Sequence, residues 1–201
     1  MKLKKIAKGL LKTGIICLVL LVVIYNLLLS DFNPIFDTQN YKQLTTALDQ
    51  AKEESFEEII ETYDSIYTSP SFKELAVSNL FSYSNKQCPC LNITRMYHSY
   101  YNNRFESIYE GIFFTLKLER KYTQRECLKL LLKDSDYLYQ NRGIKKAAHY
   151  YYNKELKDLN QKERITLILM LENPTLYNPE RNRKMLQRKV LHIQKMLKNK
   201  F

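Results

Sequence analysis

The sequence predicts a mainly α protein, with a single N-terminal transmembrane helix followed by one helical domain, and three observations carry that prediction. Glycine and proline are scarce, 4 and 5 residues, against many Leu, Lys, Tyr and Glu, which disfavours a turn-rich sheet protein. Apolar residues recur at helical spacing in successive segments, with polar residues between them. One uncharged run from Thr13 to Leu29, about 17 residues, is near the short end of what spans a bilayer. A chain of 201 residues without internal repeats is bounded at one domain plus appendages.

Taken in order, Lys2, Lys4, Lys5, Lys8 and Lys12 precede the apolar run, while Asp31 and Asp37 follow it. That asymmetry puts the first residues in the cytoplasm and the rest outside. Leu27-Leu28-Leu29-Ser30-Asp31 offers no small-residue cleavage site, so a retained anchor is favoured over a removed signal peptide. The expected organisation is a basic tip over 1–12, a transmembrane anchor over 13–29, a connector over 30–44 and the domain over 45–201. Within the connector Asn33-Pro34 breaks structure, and a polar helical pattern begins at Thr45. From Ala51 to Tyr67 the chain is acidic and amphipathic, with Phe56, Ile59, Ile60 and Tyr63 at helical spacing.

The most informative stretch runs from Leu116 to Pro179. A charged amphipathic helix ends at Tyr122, and Thr123 can cap the next, because its hydroxyl satisfies free backbone N–H groups at a helix start. That next helix carries Cys127, Leu128, Leu131 and Leu132 on one face. An irregular segment over 134–141 follows, and Gly143 marks a tight backbone site ahead of Ile144-Lys145-Lys146-Ala147-Ala148. An apolar helix then reaches Leu171, and Pro174 and Pro179 stop it and stiffen the exit. The last stretch, Arg181 to Phe201, is a basic amphipathic helix with Leu186, Val190, Ile193 and Leu197 on its apolar stripe. It is expected to pack on its own domain, with membrane contact the second reading.

This order of features resembles glycosyltransferase family 51, the peptidoglycan glycosyltransferases that polymerise lipid II into glycan strands. The family's "LRLERRYSKDEIL" junction falls on Leu116 to Leu128. Its "G-x-x-x-AA-x-x-YF-x-K" run falls on Gly143 to Lys154, and its "L-x-x-x-E" and "P-x-x-YNP" on Leu159 to Glu163 and Pro174 to Pro179. The resemblance implies a lysozyme-like helical glycosyltransferase-type domain held on the outer side of a bacterial cytoplasmic membrane. Its partners would be the membrane, lipid II or a related undecaprenyl-pyrophosphate glycan precursor, and other cell-wall synthesis proteins. No cofactor is implied, and nucleic acid is not expected of an anchored, outward-facing chain.

The family's polar stations map less closely. Its "ED-x-x-F-x-x-H-x-G-x-D" motif places a general base nearest Glu61, with Glu58 as the alternative. A carboxylate at a helix end beside an apolar wall could have a raised pKa and take a sugar hydroxyl proton. The "G-x-S-T-I-x-Q-Q" motif falls on Cys90 to Met96, keeping Ile93 and Thr94 but replacing both glutamines by Arg95 and Met96. Thr94, Arg95 and Arg104 are the candidate precursor-binding residues, a guanidinium fork being suited to a pyrophosphate. The Glu of "R-K-x-x-E" would fall on Gly111, leaving Glu110 as the second catalytic candidate, one residue and about 100° of helix away. The "E-x-Y-L-N" motif has become Lys129-Leu130-Leu131-Leu132-Lys133. Two functions therefore stay open: a weakly active or inactive relative of the lipid II polymerases, a pseudoenzyme, or a non-catalytic module binding precursor or protein.

Cysteine and histidine add little. Cys17 falls in the apolar run, Cys127 on an apolar helix face, and Cys88 and Cys90 are too close together for an ordinary bridge. His98, His149 and His192 have no ligand spacing, so no metal site is expected. Glycine loops for phosphate or dinucleotide are absent from the sequence, and so is a Ser-His-Asp arrangement, which removes the usual soluble-enzyme readings.

Overall fold

A computed structural model describes residues 2–78, 86–101 and 108–199, and among them the protein is helical, without strands. The helices are α1 (Lys2–Leu28), α2 (Gln39–Ala51), α3 (Glu57–Ile66), α4 (Phe72–Ser78), α5 (Pro89–Tyr101), α6 (Ile108–Leu118), α7 (Gln124–Asp134), α8 (Ile144–Tyr152), α9 (Gln161–Glu172) and α10 (Arg183–Lys198). The apolar part of α1, Gly9–Leu28, is long and apolar enough to cross a membrane, and none of it is buried in the protein.

The link behind α1 is more ordered than its Asn33-Pro34 break suggests. Asn33 caps a 3-10 turn over Pro34–Asp37 by accepting the Ile35 N–H, and the Thr38 hydroxyl accepts the Tyr41 N–H, so α2 starts at Gln39 rather than at Thr45. A small cluster of Leu29, Phe36 and Phe114 ties this link to α6. Lys117 reinforces it, its Nζ donating to the Leu29 carbonyl at 2.7 Å and meeting Asp31 at the same distance.

The main core is organised around α9, in which Ile165 to Met170 are all buried. A helix apolar on every side must be wrapped by others, and α3, α8 and α10 pack on it. The α10 stripe of Leu186, Val190, Ile193 and Leu197 faces inward, as its spacing predicts. A second layer joins α5 to α6, α7 and α2. Capping boxes start both α7, from Thr123 and Glu126, and α9, from Asn160 and Glu163. The Glu163 carboxylate also takes Lys154 at 2.8 and 2.9 Å, so two polar residues of the Leu116 to Pro179 stretch serve each other.

The irregular segment between α7 and α8 is a left-handed turn in which Leu138, Tyr139 and Gln140 all have positive φ. It closes on Gly143, whose φ is +89° and whose missing side chain makes room for the backbone carbonyl of Lys133. Ala147 and Ala148 then enter the core with no exposed surface.

Candidate functional site

A cavity of about 370 Å³ opens where α3, α5, α7 and α9 meet. Its lining follows from helix phase. Tyr63 and Tyr67 come from the end of α3, Asn92, Arg95 and Met96 from one face of α5, and Ile168, Leu171 and Glu172 from the end of α9. A space of this size with an apolar floor and a few polar groups suits a small ligand or part of a larger one.

The polar groups are linked. The Asn92 Nδ2 donates to Gln87 Oε1 at 3.3 Å, and the Gln87 Nε2 donates to Glu172 Oε1 at 3.3 Å. Burial pushes the hydroxyls of Tyr63 and Tyr67 well above the usual phenol range, and the adjacent Glu172 carboxylate pushes Tyr67 further. Both therefore stay protonated. Arg95 enters from an exposed position and has no ion-pair partner among the described residues. The arrangement offers a hydroxylated, anionic ligand one cation, several donors and one carboxylate.

The sequence-predicted residues are spread around this cavity rather than gathered in it. Arg95 lines it. Thr94, one residue earlier, is fully buried and donates its hydroxyl to the Cys90 carbonyl at 2.7 Å. Glu61 stands in the middle of α3, not at a helix end, and is exposed outside the lining; Glu58 is also exposed and pairs with Arg164 at 3.1 Å. Glu110 falls in the first turn of α6, with its side chain outside the described residues, and Arg104 lies outside them altogether.

The residues over 129–133, where the resemblance places the "E-x-Y-L-N" motif, serve the fold. Leu130, Leu131 and Leu132 are core residues, Lys129 donates to the Lys52 carbonyl at 2.8 Å, and Lys133 meets Glu54 at 3.6 Å. Sequence reasoning missed Tyr67, Gln87 and Glu172. The only local signal for Glu172 is a carboxylate ending an apolar helix just before Asn173-Pro174.

Two features fix the α5 wall. Cys90 is bridged to Cys127 of α7, while Cys88 remains a buried free thiol, pushed up to about 11 chiefly by that burial. The pairing joins α5 to α7, and spacing along the chain, which draws attention to Cys88 beside Cys90, does not reveal it. Glu119, from the helix junction, accepts the Phe72 N–H at 2.6 Å and the Gln124 Nε2 at 2.7 Å, and Gln124 in turn accepts the Cys90 N–H at 3.1 Å. These bonds hold the starts of α4 and α5 in place.

Comparison with known proteins matches residues 93–198, half of the chain, to the family described as Transglycosylase. Penicillin-binding protein 1F of Bacillus subtilis (strain 168) is 34% identical over 68 residues, 34% of this chain and 10% of that protein. A biosynthetic peptidoglycan transglycosylase of Acinetobacter baumannii (strain ATCC 17978) is 30% identical over 73 residues, 36% of this chain and 32% of that protein. The chain thus spans between a tenth and a third of the length of these relatives. With a matched segment that runs from α5 through α10 and encloses the cavity's α5, α7 and α9 walls, the chain belongs to the transglycosylase family.

Proposed function

We propose that this is a membrane-anchored, peptidoglycan glycosyltransferase-like protein of cell-wall synthesis that binds a lipid II-class precursor and has weak or no polymerase turnover. Residues 1–12 form a cytoplasmic tip, 13–29 cross the bacterial cytoplasmic membrane, and the link and the helical domain that follow lie on the outer side. The exposed apolar stretch of α1 and the lysines at the start of the same helix support that placement.

One observation carries the catalytic part of the reading. The residues that pack the family's scaffold are kept from Leu116 to Pro179, whereas the "E-x-Y-L-N" positions hold core leucines and lysines engaged elsewhere. Binding needs a cavity and a few donors. Turnover needs a base and charge-stabilising groups within hydrogen-bond reach of the reacting atoms, and each such group lost removes roughly two to three orders of magnitude in rate. Arg95 in the cavity is the group suited to a pyrophosphate, and Tyr67, Gln87 and Asn92 are suited to sugar hydroxyls.

Calorimetry with a soluble lipid II analogue tests this on the wild type and on Arg95→Ala. Binding by the wild type that is weakened at least tenfold in the variant supports the reading, since a charge-assisted pair contributes about 1.5 to 3 kcal/mol. Absence of binding by both leaves the second function, a module that docks other cell-wall proteins.

A further inference from the structure

The foot of α1 carries a charge arrangement that the cavity does not use. Tyr25 and Asn26 stand in the last turn of the apolar stretch Gly9–Leu28. The Lys73 ammonium of α4 lies over the Tyr25 ring at 5.0 Å, and the Arg120 guanidinium, just past α6, lies over the same ring at 5.2 Å. Arg120 also donates to the Asn26 side-chain oxygen at 3.1 Å. Among the described residues neither cation has a carboxylate partner. Their neighbours do: Lys117 meets Asp31 at 2.7 Å, Lys121 meets Asp49 at 3.4 Å, and Lys42 meets Asp37 at 2.6 Å.

Two like charges brought to one tyrosine repel each other, and its ring and hydroxyl, with the Asn26 amide oxygen, compensate only part of that repulsion. Among the described residues no anion balances them, and an anion would. Depth identifies its source. The 20-residue stretch, at 1.5 Å per residue, spans about 30 Å, the hydrocarbon thickness of a bilayer, so its last turn stands where acyl chains give way to headgroups. Tyrosine and long basic side chains are favoured at that level. Exposed apolar side chains lie close along the chain, Phe32 shortly past the end of α1 and Val77 one turn past Lys73 on α4.

We propose that Lys73 and Arg120, gathered on Tyr25, hold the phosphate of an anionic membrane phospholipid and so seat the helical domain on the bilayer surface. The site rests on the reading of α1 as a membrane anchor and is separate from the precursor cavity.

Native mass spectrometry of the full chain, released from bilayers of equal phosphatidylglycerol and phosphatidylcholine, counts the lipids that stay bound. The wild type is expected to keep phosphatidylglycerol over phosphatidylcholine on the order of tenfold, and Lys73→Gln with Arg120→Gln to bring the ratio near one. A wild-type ratio of one, or an undiminished preference in the double variant, overturns the proposal. Should the variant not fold, the wild type is compared at low and high salt, and a preference unmoved by salt overturns it equally. Displacement of the lipid by inorganic phosphate would reassign the site to a free anion. Carbonate extraction separates the two readings: release from the membrane removes anchor and site together, whereas retention without lipid preference removes the site alone.

Discussion

The joint between α7 and α8 and the α5 wall of the cavity both lean on α7, yet they constrain their residues very differently. At the joint, Gly143 has a φ of +89°, donates its N–H to the Ser135 carbonyl at 2.9 Å, and leaves no room for a Cβ beside the Lys133 backbone. Ala147 and Ala148 behind it are fully buried. At the wall, Arg95 reaches into open space from an exposed position. Where backbones touch, few residues fit, so a family scaffold persists; around open space, substitution costs the fold little, and polar stations can change while the helices stay.

The largest expected effect is loss of the link between the two regions. Reducing Cys90–Cys127 opens a covalent loop with a sequence separation of 37, which should cost about 4 kcal/mol of stability and be read as a lower melting temperature in the presence of dithiothreitol. An unchanged melt would show that α5 and α7 hold together by packing alone. Next, Gly143→Ala should cost about 3 kcal/mol in urea unfolding, from a left-handed φ and a clash with backbone that cannot move aside. A loss under 1 kcal/mol, less than about a third of that, would place the joint in the same class as the wall.

A smaller effect concerns pH. The Glu54 carboxyl is held below its ordinary value of 4.5 by its hydrogen bond to Lys145, against some burial and with Lys133 adding to the attraction. Because the folded value is depressed, this contribution is complete above about pH 4.5 and is lost as pH falls through the folded value. Wild-type stability should therefore drop more steeply below that pH than that of Glu54→Gln, and parallel curves would remove Glu54 from the account. The smallest effect is expected at the wall: Arg95→Ala should change stability by less than about 0.5 kcal/mol, and a larger loss would mean that the cavity wall carries the fold as well.

What could be read from the sequence follows the same division. Thr123 as a cap, Gly143 as a tight site and the apolar stripe of α10 are local patterns, set by neighbours within a turn or two. The Cys90–Cys127 bridge, the Glu119 bond to the Phe72 N–H and the approach of Glu172 to Gln87 join residues 37 or more positions apart and depend on how helices cross. No spacing encodes them. Glu61 illustrates the limit: its place on an amphipathic segment was legible, but its exposure in the middle of α3 depends on which helices cover that face.

We propose that the family scaffold is kept without an effective catalytic set. Strand formation from labelled lipid II by the purified full-length protein, run beside Glu61→Gln, tests it most directly. Little or no polymer is expected from either protein. Polymer from the wild type that disappears in Glu61→Gln would contradict it and make this chain a working polymerase with Glu61 as its base.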